Sequence, residues 1–351
     1  MTPGEAHIGP VPAAEAITFV TVSYREELAL LRLQARSMAR FLSPDLVGDI
    51  LVIINDCAED QAAAMVESLR PDYGALADKL RVVKGTDLFR WNVGPGGPMA
   101  WLRRFQSLHP YLALRSPGDA WNKHGGWKIQ QVHKLACYRA ITSGRIVMLD
   151  SKYHFLRPVR VDDYFAPDGR AYMMMDPVEQ TRQDIIETSF RWFGLKPSDA
   201  GAMVTRGWMP FVIQTDLLKQ ATEAIEERTG PLQVLFAVHR KRETEAMLVN
   251  AFCLWRHGGI DQFFDGDISV PPIIVRGATE ADIDAALTAA ENGGALLALH
   301  RSVIPTLLPR HKDRLRALWR NAGLISQDAE ADQILALRDQ GNAAISAAVA
   351  G

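Results

Sequence analysis

Cysteine is scarce in this sequence, and its spacing argues against two common frameworks. The chain of 351 residues contains three cysteines, Cys57, Cys137 and Cys253, which lie far apart. No pair has the CxxC spacing typical of a structural zinc site, and an odd, dispersed set does not make a disulfide framework. Reduced thiols are the simplest interpretation, so we expect a cytoplasmic protein.

Long apolar runs and a surplus of one charge are also absent. No run approaches the ~20 apolar residues that span a bilayer, and the first residues lack the basic-then-apolar order of a signal peptide. We therefore expect no transmembrane segment. The 39 basic and 41 acidic residues give a formal net charge of -2, which argues against nucleic-acid binding driven by charge.

What the sequence does contain is a regular alternation of strand and helix patterns near its beginning. Apolar runs at Ile17–Ser23, Gly48–Asn55 and Leu80–Lys84 are typical of strands. Between them, helical patterns cover Glu26–Phe41 and Asp60–Leu69. This alternation predicts an α/β fold, with a mostly parallel, Rossmann-like central sheet flanked by crossover helices.

The stretch from Gly126 to Pro158 organises the chain. A helical pattern from Trp127 to about Thr142 is followed by a short apolar run, Arg145–Leu149, which is typical of a buried strand. Asp150 comes where that strand should leave the sheet. Ligands of open α/β sheets bind outside the carboxyl ends of the strands, so Asp150 is a candidate functional residue. An aspartate that caps a turn is the alternative interpretation.

The remaining patterns predict one large domain with two flanking segments. We expect a flexible arm at residues 1–16, a single domain at 17–305 and a helical extension at 306–351. The helical pattern of the extension leaves open whether it docks on the body or on a second subunit, so an oligomer is one option. Between 85 and 126 lies a long glycine-rich connection, typical of a binding loop. A strand at Trp208–Gln214 and a helix that starts at Asp216 are among the later elements.

These motifs resemble those of bacterial glycosyltransferases of the GT-A type. The resemblance is narrowest to an uncharacterised group whose core reads GWxxQQxxKL before a strand that ends in an Asp-x-Asp-like motif. The matching residues are Gly126-Trp127, Gln130-Gln131, Lys134-Leu135 and Asp150-Ser151-Lys152. The opening FVTVSY strand and the IIN end of the second strand also fit, so the resemblance covers residues 17–305 and implies that this is a catalytic domain.

The resemblance implies a nucleotide-sugar donor and a saccharide or lipid-linked acceptor, in polysaccharide or glycolipid biosynthesis. It leaves open peripheral contact with a membrane. It also implies that the donor is held by residues at the ends of the first two strands, on the central helix and at the end of its strand: Ser23, Tyr24, Arg25, Asn55, Gln131, Lys134 and Asp150. The i, i+3 spacing of Gln131 and Lys134 places both on one helix face.

The metal site of that family is altered here. Most GT-A enzymes hold a divalent cation, Mn²⁺ or Mg²⁺, with Asp-x-Asp, but this chain has Lys152 in place of the second acid. An ammonium group cannot ligate a metal. Three interpretations stay open: Asp150 and His300 hold the cation, Lys152 supplies the positive charge without a metal, or the fold is a non-catalytic nucleotide-sugar-binding or scaffold protein.

Glycosyl transfer also needs a group that takes the proton of the acceptor hydroxyl, usually a carboxylate. The candidates are Asp216, Glu243 and Glu245. Glu245 opens the predicted helix of TEAMLVNAFCLW, where the resembled group also has an acidic residue, whereas Asp216 has the pattern of a helix cap. An acid favoured by the helix dipole is the alternative interpretation of Glu245. Tryptophans such as Trp127 and Trp208 are either sugar-stacking or packing residues.

Overall fold

The computed structural model describes residues 16–56, 58–89, 125–238, 243–266 and 271–337. Residues 1–15 of the predicted N-terminal arm, residues 90–124 of the predicted glycine-rich connection and residues 338–351 of the predicted C-terminal extension are not among them. Among the described helices, none is both long enough and apolar enough to cross a membrane.

The centre of the fold is a five-stranded sheet in which four strands are parallel. Its spatial order is β3–β2–β1–β4–β9, and the last strand runs antiparallel to β4. These strands are β1 (Ile17–Ser23), β2 (Val47–Ile54), β3 (Leu80–Lys84), β4 (Arg145–Asp150) and β9 (Phe211–Gln214). The α/β class with a mostly parallel sheet is thus confirmed.

The described α-helices bury apolar side chains, some of them against this sheet and others in a second hydrophobic cluster. The helices are α1 (Leu28–Phe41), α2 (Glu59–Glu67), α3 (Gly125–Ala136), α4 (Gln183–Phe190), α5 (Thr215–Thr229), α6 (Leu232–Val238), α7 (Glu245–His257), α8 (Glu280–Glu291), α9 (Pro309–Asn321) and α10 (Asp328–Leu335). Short 3₁₀ helices lie at Arg25–Glu27, Arg70–Lys79, Gly85–Leu88, Cys137–Ala140, Val161–Asp163, Val178–Gln180, Arg191–Phe193, Pro197–Asp199 and Arg301–Thr306.

Three smaller sheets complete the structure. One has the order β11–β12–β5, and the other two pair β10 with β6 and β7 with β8. Their strands are β5 (Tyr153–Phe155), β6 (Ala171–Tyr172), β7 (Met175–Pro177), β8 (Met203–Thr205), β10 (Phe264–Asp265), β11 (Ile273–Ile274) and β12 (Leu296–Leu299). The antiparallel pairing of β5 with β12 matters most, because β5 follows Asp150 by only a turn.

Two hydrophobic clusters share helix α1. Leu31 and Met38 pack into the cluster around the central sheet, whereas Leu30 and Leu33 pack into a second cluster built mainly by residues beyond 270. The second cluster includes Ile304 and residues of α9 and α10. The C-terminal extension predicted from residue 306 is therefore helical where it is described, and it packs with residues that precede it.

Three element predictions need correction. The helix predicted to reach Thr142 ends as an α-helix at Ala136 and continues as a 3₁₀ turn. The strand predicted from Trp208 begins only at Phe211, after a cis Met209–Pro210 bond, because proline has no N–H to donate to a ladder. The antiparallel direction of β9 was not predicted, since apolar periodicity carries no information on direction.

Candidate functional site

A cavity of about 650 Å³ lies at the carboxyl ends of the parallel strands. The ends of β1, β2 and β4 supply Tyr24, Asn55 and Asp150, and the first turn of α7 supplies Glu245. His300, directly after β12, lines the other side. This is the edge at which open α/β sheets bind ligands, so the cavity is the candidate site.

An ion-paired network forms part of the cavity wall. The Nζ atom of Lys134 lies 3.1 Å from Oδ1 of Asp150 and 3.3 Å from Oε1 of Glu245, so it bridges the two carboxylates. The Nζ atom of Lys152 lies 2.8 Å from the other oxygen of Asp150. Gln130 also donates to Oδ1 of Asp150, at 3.0 Å. Two cations and two anions thus form one compact group.

The network shifts the ionisation of its members. Burial opposes ionisation of Asp150, but the ammonium groups of Lys134 and Lys152 hold its pKa well below the usual value. Burial alone would lower the pKa of Lys134, yet the carboxylates of Asp150 and Glu245 raise it above the ordinary value. Asp150 and Lys134 are therefore both charged at neutral pH.

Gln34, on helix α1, fixes the turn that carries Asp150. Its buried Nε2 donates to the backbone carbonyls of Asp150 and Tyr153, each at 2.9 Å. Its Oε1 accepts a hydrogen bond from Thr21 on β1, also at 2.9 Å. Sequence reasoning missed this residue, although a polar side chain on the buried face of an amphipathic helix was a usable signal.

Two hydrogen bonds fix the first turn of α7, which carries Glu245. Thr244 caps α7 by accepting the N–H of Met247 at 3.2 Å. The backbone N–H of Glu245 donates to Oε1 of Gln131 at 3.2 Å. Gln131 and Lys134 therefore face α7 together, as their helical spacing predicts. Glu245 and these two α3 residues all line the cavity.

A second cluster of polar side chains lies beside the end of β1. Ser151 donates a hydrogen bond to the half-buried carboxyl group of Glu27, and burial raises the pKa of that carboxyl. The guanidinium of Arg301 lies 5.1 Å from the ring centre of Tyr24 and pairs with Glu26. Glu27 and Arg301 were missed because the chain gives no local signal for contacts more than 100 residues apart.

The predicted donor residues Arg25 and Asn55 also line the cavity. Nε of Arg25 lies 3.4 Å from Oδ2 of Asp56. The side chain of Asn55 donates to the backbone carbonyl of Gly126 at 3.0 Å, which ties the end of β2 to the start of α3. The end of β2 therefore contacts both the central helix and the residues that follow β1.

Three predicted residues, Ser23, Asp216 and Glu243, do not line the cavity. Ser23 is buried within β1 and lines no part of it, and its hydroxyl makes no hydrogen bond to a described residue. Asp216 is exposed near the start of α5 and is not its cap, which is Gln214. Because β9 runs antiparallel, Gln214 pairs with Arg145 at the beginning of β4. Asp216 thus lies near the amino-terminal end of β4, whereas Asp150 lies at its carboxyl end. The length of β4 between these ends is roughly 16 Å.

Glu243 and His154 also lie outside the cavity lining. Oε1 of the buried Glu243 accepts from Arg191 at 3.3 Å. His154 accepts a hydrogen bond at 2.9 Å from the indole N–H of Trp319, and burial lowers its pKa to about 3. Its neutral ring connects β5 to α9, and we assign neither residue a role in the chemistry.

The residues present do not fit a divalent cation held by Asp150 and His300. Both oxygens of Asp150 face ammonium groups, which would repel a cation. Nδ1 of His300 accepts the N–H of Ser302 at 3.2 Å and so caps the following 3₁₀ helix. Within the described residues, a trio of potential ligands occurs at Glu280, Asp284 and His311, outside the cavity lining.

Two exposed tryptophans, Trp127 and Trp208, line the cavity. Trp127 is in the first turn of α3, and Trp208 comes three residues before β9. Their indole faces give the charged cavity two flat apolar surfaces. Three further tryptophans of the glycine-rich connection, Trp91, Trp101 and Trp121, lie outside the described residues.

Comparisons with known proteins give one sequence family and a set of distantly related solved structures, two of which are described below. No curated protein matches the chain. The apo form of mouse xyloside xylosyltransferase 1 is 12% identical with a TM-score of 0.40, and the match covers 84% of this chain and 100% of that one. The galactosyltransferase LgtC, in complex with donor and acceptor sugar analogs, is 14% identical with a TM-score of 0.42, covering 87% and 99%.

The family model matches a long, continuous segment of the sequence. Residues 16–276 match the model described as "Family of unknown function (DUF6492)". That segment contains β1 to β4, the central helix α3 and Glu245 at the start of α7. His300 and Arg301 come from beyond it. Since the match spans well over half of the sequence, the chain belongs to this family of unknown function.

Proposed function

We propose that this protein is a glycosyltransferase that moves a sugar from a nucleotide-sugar donor to a hydroxyl of a saccharide or lipid-linked acceptor. The observation that carries the proposal is the group formed by Asp150, Lys134, Lys152 and Glu245 inside the cavity. Transfer needs positive charge for the departing diphosphate and a carboxylate for the acceptor proton. The motif resemblance and the carboxyl-edge position support the same reaction class.

Lys152 is the cation we assign to the departing diphosphate. Its side chain is 21% exposed, compared with 5% for Lys134, which is enclosed between two carboxylates. An incoming diphosphate carries more negative charge than the single carboxylate of Asp150, so Lys152 would turn towards it. Lys134 would stay and keep Asp150 and Glu245 in place. In this arrangement the protein itself supplies the positive charge.

Glu245 is the group we assign to the acceptor proton. Its carboxylate lines the cavity at the start of α7, and Lys134 and the backbone contact with Gln131 fix its position. A general base must lie within hydrogen-bond reach of the proton that it takes. Among the predicted bases, Glu245 alone lines the cavity, because Asp216 and Glu243 lie elsewhere.

The test is a donor-hydrolysis assay with a panel of UDP-, GDP- and dTDP-linked sugars, in EDTA and in Mn²⁺. We expect turnover of at least one donor and no loss of turnover in EDTA. Nucleoside diphosphate binding is measured in parallel by calorimetry. Absence of both binding and turnover across the panel would refute the proposal.

A non-catalytic, nucleotide-sugar-binding role is the second candidate. It is favoured by the fact that the two lysines satisfy both oxygens of Asp150 within the protein itself. A site that is neutral and internally paired can hold a ligand without performing chemistry. Nucleotide binding without turnover, with saccharide acceptors present, would select this alternative.

A further inference from the structure

Trp208 is one of few large hydrophobic side chains that the described residues leave exposed. These are Trp127, Met203, Trp208, Trp255 and Leu308. The Trp208 side chain is the most exposed of them, at 45%, and it lines the cavity. An indole left open at the wall of a charged cavity offers one flat apolar face to a ligand.

The indole is held in place by a clamped arginine. The guanidinium carbon of Arg206 lies 5.2 Å from the ring centre of Trp208. Arg206 is itself fixed by Asp176, with Nε 2.8 Å from Oδ2 and Nη2 2.5 Å from Oδ1. Such a bidentate pair has a defined geometry. The contact with Arg206 therefore holds the indole of Trp208 in a defined orientation.

The residue before Trp208 packs against the helix turn that carries Glu245, the carboxylate that we assign as the base. A Cβ atom on the neighbouring Gly207 would lie 3.7 Å from Cβ of Ala246 and 3.9 Å from Oγ1 of Thr244. These two residues flank Glu245. The backbone at Gly207 thus packs against the first turn of α7, and a ligand on the indole would lie close to Glu245.

The strand order of the central sheet places Trp208 away from the predicted donor residues Tyr24 and Asn55. In the order β3–β2–β1–β4–β9, Tyr24 and Asn55 follow β1 and β2, whereas Trp208 precedes β9 on the other side of β4. Because β9 is antiparallel, its start pairs with the carboxyl end of β4, Phe211 with Met148. The ion-paired group at Asp150 lies between the two sides.

We propose that Trp208 forms an acceptor subsite that takes the pyranose ring of a saccharide; this inference rests on the proposed transferase function. A pyranose has an apolar C–H face for the indole and hydroxyl edges for charged neighbours such as Glu245. An acyl chain would instead need a continuous apolar groove, since it would leave charged groups desolvated without partners. The acceptor is therefore recognised through its sugar and not through a lipid.

The experiment measures saccharide and nucleotide binding separately. The probes are methyl glycosides and short oligosaccharides of gluco, galacto, manno and N-acetylhexosamine type, tested with and without UDP and GDP. W208A is compared with W255A, a matched control: Trp255 is 39% exposed and lies 4.0 Å from the guanidinium carbon of Arg228, but it is outside the cavity lining. W208F keeps an aromatic face, and circular dichroism checks folding.

We expect W208A to lose at least about tenfold in saccharide affinity, as truncation of a well-placed tryptophan does. W255A should bind as the wild type does, and W208F should recover most of the loss. The loss of nucleotide affinity in W208A should be much smaller than its loss of saccharide affinity.

Three results would overturn the subsite. They are equal saccharide binding by W208A and the wild type, binding of nucleotide but no saccharide by the wild type, and binding to phosphatidylglycerol vesicles through Trp208 without binding of free sugars. Saccharide binding that depends on Trp208 in a protein that binds no nucleotide would support the subsite and refute the transferase function, so the two failures are distinguishable.

Discussion

The ammonium group of Lys152 lies 2.8 Å from the carboxylate of Asp150, two residues earlier in the chain. In the resembled family a second carboxylate would stand at the position of Lys152, and both acids would face a cation. Here the pair is complete without one. The proposal that Lys152 takes the place of a metal ion rests on this charge balance.

Lys152→Ala should lower turnover by about 10²–10³-fold, because a preorganised charge that stabilises the departing group is removed. EDTA should have no effect on the wild type. Lys152→Asp should restore an Asp-x-Asp pattern and make activity depend on Mn²⁺. Lys219→Ala, an exposed lysine on α5, is the control. Unchanged turnover in both Lys152 variants would remove this residue from the mechanism.

Glu245→Gln should reduce transfer by about 10²–10⁴-fold, the usual contribution of a general base. The amide keeps the size of the side chain, so nucleotide affinity measured by calorimetry should change little. Asp216→Asn is a matched control, since it is also an acid in the first turn of a helix but lies at the other edge of the sheet. Equal activity of the two variants would contradict the assignment.

Gln34→Ala should lower both stability and activity, because Gln34 holds the turn that carries Asp150. It removes both donors to the carbonyls of Asp150 and Tyr153, which should cost about 1–3 kcal/mol of unfolding free energy for each carbonyl left unsatisfied. If Gln34 is a positioning residue, kcat should fall more than the KM for the donor rises. Gln262→Ala, at an exposed site, is the control. A loss of stability with kinetics unchanged would assign Gln34 a structural role only.

Stability should fall in mild acid because His154 is buried in its neutral form. Burial lowers its pKa from 6.5 to about 3. Between these values the unfolded chain binds a proton that the folded chain does not, so the free energy of unfolding decreases as pH falls through this window, by at most about 1.4 kcal/mol per pH unit. His133, whose pKa burial also lowers to about 3, contributes in the same direction.

His154→Gln removes one of these protonations and keeps an acceptor for the indole of Trp319. Its unfolding free energy, measured in urea between pH 4.5 and 7, should therefore depend less steeply on pH than that of the wild type. Above pH 7 the two pH dependences should run parallel. The same slope for both proteins below pH 6 would show that His154 is not the group responsible.

Local patterns predicted much of the sheet and part of the site. The strands Ile17–Ser23 and Leu80–Lys84 have the predicted bounds, because a buried parallel strand is a short apolar run that a sequence displays directly. The position of Asp150 at the end of β4 follows from the strand pattern in the same way. The spacing of Gln131 and Lys134 predicted only that they share a face of α3, and the family resemblance placed that face near the donor.

Local patterns could not predict contacts between segments that are far apart in the sequence. Nothing in the sequence near Glu27 indicates Ser151, and nothing near Tyr24 indicates Arg301. Asp216 was misplaced for a similar reason: its strand has an ordinary apolar pattern, but the direction of that strand depends on pairing with β4. The direction of a strand and the contacts between distant residues depend on tertiary structure. The apolar period and the composition of a segment do not specify them.

Helix α1 has one apolar face in each hydrophobic cluster, and the second cluster carries the wall that contains His300 and Arg301. That wall comes from beyond residue 276, where the family match ends. This wall is nevertheless tied to the matched segment, because it packs on Leu30 and Leu33 of α1 and its strand β12 pairs with β5. A substitution in the C-terminal part can therefore reach the ion-paired centre through α1 and through β5, which follows Asp150 closely in the chain.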